Sequence, residues 1–203
     1  DPNYGELDAP RFDFAVQATG SLAAQASQTM ELLWWRMQAV RDVRLNRLPQ
    51  AVRDLRAASA TRHASQQDPE ARGMRAALVL RDNVRNRSRI EKAYRRAIGA
   101  ARHDIIIANA YFMPGGKLRC ALILAAKRGV RVQLLLQGRY EYFMQYHAAR
   151  PVYGALLAAG VEIHEYEPSF LHAKVAVIDA HGDKPWATVG SSNLDPLSLL
   201  LAR

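Results

Sequence analysis

The stretch Leu171-His172-Ala173-Lys174-Val175-Ala176-Val177-Ile178-Asp179, followed by Val189-Gly190-Ser191-Ser192-Asn193-Leu194-Asp195-Pro196, decides how this chain is read. Val175, Val177 and Ile178 give the first part the apolar character of a buried strand. Residues two apart on a strand share a face, so the spacing sets the His172 imidazole beside the Lys174 ammonium. Near neutral pH a histidine attacks phosphorus or exchanges protons with an alkoxide, and a lysine holds a non-bridging phosphate oxygen as a compact charge. Gly190 permits close backbone approach, while the Ser191 hydroxyl and the Asn193 amide supply further donors to a phosphate. Asp179 stands at odd spacing from both partners. An unbroken strand turns it to the opposite face, which assigns it an orienting or structural role unless the strand first ends or bulges.

Either element alone is ordinary: a lone strand histidine is usually a core or surface residue, and a lone Gly-Ser-x-Asn is usually a turn. Together, in this order, they resemble the H-x-K-x4-D plus G-S-x-N signature of the phospholipase D superfamily. More narrowly, Leu171 to Leu197 is similar to the second catalytic motif of bacterial cardiolipin synthases. The similarity continues upstream through Ala110-Tyr111-Phe112-Met113-Pro114, Arg128-Gly129-Val130-Arg131-Val132, Leu134-Leu135-Leu136-Gln137-Gly138 and Gly160-Val161-Glu162-Ile163.

That resemblance implies two motif copies facing each other across a pseudo-twofold axis. One histidine forms a covalent phosphohistidine and the other serves as general acid and then general base, with no metal or other cofactor. It makes His172, Lys174 and Asp179 the expected catalytic set and puts Gly190, Ser191 and Asn193 on the phosphate. By position His172 would be the acid/base partner, although the sequence alone does not separate the two histidine roles. The implied activity is a phosphatidyltransferase of phospholipid synthesis, moving a phosphatidyl group from phosphatidylglycerol to a lipid or glycerol acceptor. The expected location is peripheral, on the bacterial cytoplasmic membrane.

Residues 1–170 hold no second H-x-K-x4-D, since His63, His103, His147 and His164 all lack a lysine two residues later. The expectation is therefore a second half whose site is completed by a preceding N-terminal half or by another copy of the chain. Two other readings stay open: a single-motif phosphodiesterase or nuclease acting as a homodimer, and a non-catalytic module that binds anionic lipid. The ten residues between Asp179 and Gly190 exceed the family's usual gap, and His181-Gly182-Asp183-Lys184-Pro185 reads as a lengthened surface hairpin.

At 203 residues with 49% apolar content, the chain can build a substantial core. Its formal charge of +9 is mostly arginine, clustered as Arg41, Arg44, Arg47, Arg53, Arg56 and Arg62, then as Arg85, Arg87, Arg89, Lys92, Arg95 and Arg96. Such a balance seeks an anionic partner or simply solvates helix faces. Little aromatic interleaving accompanies it, which favours an anionic phospholipid over nucleic acid. The single Cys120 excludes an internal disulfide and reads as a small buried hydrophobe on a helix with Leu118, Leu122 and Ala125. No apolar run approaches the ~20 residues of a membrane span.

Apolar spacing predicts a short strand at Phe12-Phe14-Val16 and a helix through Leu22, Ala26, Met30, Leu33 and Met37. Trp34-Trp35 is expected as a half-buried core pair in preference to a membrane-interface anchor. Strands are expected at 74–80, 104–110, 130–136, 161–166 and 171–178. Helices are expected around Ile90–Ala101, Lys117–Lys127 and Tyr153–Ala159. The alternation argues for an α/β fold, a mixed β-sheet with helices on both faces, in the manner of a phospholipase D-like α/β sandwich. Residues 1–60 are read as the tail of a preceding half plus a basic helical segment, 57–73 as a linker, and 74–203 as the motif-bearing domain. Tyr111 follows a strand, where ligands sit in α/β folds, and is a candidate substrate contact.

Overall fold

The computed structural model describes residues 9–63, 74–80, 86, 88–139 and 152–195, with side chains of 58–63 outside that description. It divides into two compact units, one formed by 1–16 with 80–203 and the other by 17–79. The second half of the expected linker (64–73), Arg85 and Arg87 lie outside the described residues.

The smaller unit is a helical hairpin of α1 (Ser21–Arg44) and α2 (Leu48–His63). Asn46 adopts φ 59° in the connecting turn, a conformation that asparagine tolerates better than most residues. Among the described residues, Ala39 and Ala51 are its buried positions. Residues 57–63, expected in the linker, continue α2. Trp34 departs from expectation: it is 58% exposed and lines up with Met30, Leu33 and Met37, all exposed. Five residues separate it from Ala39, which carries it roughly 140° around the helix from the buried side. Residues 74–80 form no strand, and Met74 is almost fully exposed.

The larger unit is a five-stranded mixed sheet. Its elements in chain order are α3 (Arg89–Ala100), β1 (Asp104–Asn109), α4 (Gly116–Lys127), β2 (Arg131–Gln137), β3 (Glu162–Tyr166), β4 (Lys174–Ile178) and β5 (Trp186–Val189), with a helical turn at 152–157 before β3. The spatial order is β3-β2-β1-β4-β5. β1 pairs parallel with β2 and β2 with β3, while β4 runs antiparallel to both β1 and β5.

Period-two burial along β2 sends Val132, Leu134 and Leu136 into the core. They meet Ile105 and Ile107 of β1, Ile98 of α3, Leu118, Leu122 and Ala125 of α4, and Leu156 of the 152–157 turn. Cys120 is exposed, a correction to the expected burial. It stands two residues, or about 200°, from both Leu118 and Leu122, so the face that buries them turns it outward. Gly129 (φ 87°) and Gly160 (φ 88°) end their helices with left-handed residues, and Val130 N–H and Val161 N–H then return to the Ala125 and Leu156 carbonyls. On the other sheet face a small cluster of Ala108, Leu171 and Ala173 covers the end nearest Asn109. On that face Ile106, Val177 and Val189 remain exposed.

At the sheet edge Arg131 and Glu162 form a two-point pair, Nε to Oε1 at 2.8 Å and Nη2 to Oε2 at 3.1 Å. The guanidinium holds the Glu162 carboxyl down at about 2.

Candidate active site

β1 and β2 end where β4 begins, and the loops beyond those ends bring the motif together. The incoming chain is fixed by the segment at Phe12: Phe12 N–H donates to Phe170 O and His172 N–H to Phe12 O, each at 2.8 Å. The expected strand at 12–16 is thus reduced to a single parallel bridge between Phe12 and Leu171. Phe12 packs on Phe14 and Tyr166, with ring centroids 5.0 and 5.2 Å away. Gln137, at the end of β2, accepts the Leu171 N–H through Oε1 at 3.2 Å.

This places Asp13 beside the histidine, with its Oδ2 2.8 Å from His172 Nδ1. A carboxylate only accepts, so Nδ1 carries the proton and Nε2 is the ring atom left for chemistry. Partial burial pushes the Asp13 carboxyl upward, but the His172 contact, the Phe14 N–H and the charges of His172 and Lys174 together bring it below the ordinary aspartate value. The His172 side chain is 41% exposed and accessible to substrate.

Lys174 opens β4 and is buried. Its Nζ donates to the His172 carbonyl at 3.1 Å, which keeps the ammonium beside the histidine's backbone although His172 lies just ahead of the strand. Gly190 N–H donates to Lys174 O at 3.0 Å, which starts the Gly-Ser-Ser-Asn loop directly beside the lysine. Ser191 is exposed and Asn193 half-buried. Leu194 closes the loop: its carbonyl accepts Met113 N–H at 2.9 Å and it bridges Phe112, bringing the loop that carries Tyr111 alongside. His172, Lys174, Gly190, Ser191, Asn193 and the Tyr111 loop therefore share one end of the sheet.

Asp179 does not join them. It follows the last residue of β4 with φ 49°, at the opposite end of the strand, roughly 17 Å along five residues of rise. Its carboxylate accepts three backbone N–H groups, from Arg102 (2.9 Å), His103 (2.8 Å) and Asp104 (3.1 Å). Desolvation raises its proton affinity, and those three donors outweigh it, leaving the carboxyl below its usual range. The residue anchors the turn before β1. The ten-residue gap that follows forms a β4–β5 hairpin, with Gly182 N–H on the Asp179 carbonyl.

Asp13 and Asn109 were not singled out by sequence reasoning, and Phe12 and Gln137 were not read as parts of the site. Asp13 lies 159 positions from His172 and nothing local marks it. Asn109 carried a signal, a polar residue closing the apolar run Ile105 to Ala108. An open groove of about 380 Å³, lined by Arg95, Gly116, Lys117, Cys120, Ala121 and Leu124, lies on α3 and α4 and includes none of the motif residues.

A mixed α/β sheet with an orientated histidine, a buried lysine and a Gly-Ser-x-Asn loop at one strand end defines a phospholipase D-like domain. The chain belongs to that class through the family described as cardiolipin synthase, PLD-like domain, which matches residues 94–203. Cardiolipin synthase B of Escherichia coli K12 is 45% identical over 139 residues, covering 68% of this chain and 33% of its own length. Cardiolipin synthase 2 of Bacillus anthracis is 38% identical over 112 residues, covering 55% of this chain and 21% of its own. The phospholipase D family member Nuc of Salmonella typhimurium aligns over 56% of this chain and 69% of its own, with 21% identity and a TM-score of 0.44. The chain spans about a third of the length of the curated relative from Escherichia coli.

Proposed function

We propose that this chain supplies one of two facing halves of a phosphatidyltransferase site, of the cardiolipin synthase type. The observation that carries the reading is the Asp13–His172 contact, which fixes the imidazole with Nε2 presented for proton transfer. In the reaction the histidine of the facing half attacks the phosphorus of phosphatidylglycerol, and the P–O bond to glycerol breaks. His172, protonated, gives its Nε2 proton to the departing glycerol oxygen. It then takes a proton from the hydroxyl of a second lipid as that oxygen displaces the phosphohistidine nitrogen. Lys174, with Ser191 and Asn193, neutralises charge on the non-bridging oxygens. Asp13 stabilises the imidazolium that exists before the first transfer and is restored by the second, and Asp179 keeps its structural place. The facing half comes from an N-terminal segment of the same fold or from a second copy.

Peripheral attachment to an anionic membrane is part of this reading. It is supported by the exposed stripe of Met30, Leu33, Trp34 and Met37 on α1, with Arg41 and Arg44 in the helix's last turn.

Turnover of phosphatidylglycerol by the purified chain, across a concentration series and with His172→Ala as control, tests the assignment. Turnover supplied by adding an N-terminal half, and abolished by His172→Ala, is the expected result. Activity rising steeply with concentration of the chain alone points to self-pairing, and bis(p-nitrophenyl) phosphate then separates a nuclease-like phosphodiesterase from lipid transfer. Turnover unaffected by His172→Ala overturns the site.

A further inference from the structure

We propose that Asn109 is a positioning residue that fixes which end of the Asn193 carboxamide faces the phosphate. The inference rests on the reading of Asn193 as a phosphate ligand. Asn109 closes β1, is fully buried, and accepts the Leu194 N–H through Oδ1 at 3.2 Å. That bond occupies only its acceptor end. Its Nδ2 is buried with no partner among the described residues. One residue before Leu194, Asn193 shows the complementary defect: its Oδ1 is buried with no partner among the described residues. A buried unmade donor and a buried unmade acceptor are each costly, and these two are tied through a single peptide unit. A hydrogen bond from Nδ2 to Oδ1 satisfies both.

The consequence is chemical. The two ends of a carboxamide have nearly the same shape, so sterics does not choose between them. Turned one way, Asn193 offers an anionic phosphate a carbonyl oxygen, which repels it; turned the other way, it offers an NH₂ donor. Holding Oδ1 inward on the Asn109 donor leaves the Asn193 NH₂ for the ligand. Asn109 also sits opposite Lys174 in the β1–β4 register, so the strand end that sets the loop sets the lysine's backbone too.

The test is a double-mutant cycle on the purified chain, read as orthovanadate affinity by calorimetry for wild type, Asn109→Ala, Asn193→Ala and the double variant. Asn193→Ala is expected to weaken binding about 10–100-fold, as for loss of a hydrogen bond to a charged group. Asn109→Ala is expected to cost a similar factor, and the double variant no more than Asn193→Ala alone. Multiplying losses overturn the Asn109 role while leaving the phosphate site standing. Unchanged affinity in Asn193→Ala overturns the phosphate-site reading, and this inference with it. Should Asn109→Ala not fold, Asn109→Ser decides, since it keeps a neutral oxygen at the site and removes the NH₂ without adding charge beside the anion. It should weaken binding in the wild-type background and have no further effect in Asn193→Ala; a loss that persists there overturns the proposal.

Discussion

The Asp13 carboxylate and the His172 ring, 159 positions apart in the chain, meet at 2.8 Å through Nδ1. The contact sets the tautomer, so Asp13→Asn should leave the fold intact and misorient or mis-protonate the imidazole. Phosphatidyl transfer by the assembled site is expected to fall by roughly 10²–10⁴-fold, the range of acid–base contributions. Steady-state rates alongside an unchanged thermal midpoint check this; equal rates would remove Asp13 from the mechanism.

Asp179 should behave differently from the other motif residues. Asp179→Ala strands three backbone N–H groups at residues 102–104 and should cost about 2–3 kcal/mol of stability. Because its folded proton affinity is depressed, its contribution is present above the unfolded aspartate value near 3.8 and is lost as pH falls through the lower folded value. Denaturant melts between pH 7 and pH 2 measure both effects. A flat difference between wild type and Asp179→Asn across that window contradicts the carboxylate's anchoring role.

Gly129 takes φ 87°, and nothing lies within 4 Å of where a Cβ would stand. Replacement by alanine therefore carries a conformational penalty without a clash, about 1 kcal/mol. Thermal melts of Gly129→Ala should show a drop of a few degrees. A drop several times larger would mean the αL turn also carries contacts.

The α1 stripe gives a membrane prediction. Trp34→Ser with Met37→Ser should reduce co-sedimentation with vesicles of phosphatidylglycerol and phosphatidylcholine by about tenfold or more. Binding should fall with salt and be weaker on phosphatidylcholine alone. Equal binding by the double variant would take α1 out of the membrane contact.

Much of the sheet was legible because its signals are local. Ile105 to Ala108, Val132 to Leu136 and the Leu118-Leu122-Ala125 spacing each announce their element within a few residues. The motif was legible for the same reason. What escaped was set by distance or by partners: Asp13 reaches its histidine only through the Phe12–Leu171 bridge. Asn109 matters through Leu194, 85 residues on. Cys120 and Trp34 were misjudged because apolar type was read as burial, whereas their angular positions on the helices decide exposure. Residues 74–80 have strand-like composition but no ladder to join among the described residues.

The turn at 180–185 projects from the end of the sheet remote from His172. Its length can therefore drift without disturbing proton transfer. That makes it the natural place to splice in a short affinity peptide or a fluorophore site, so that the proposed pairing of two halves can be followed in real time.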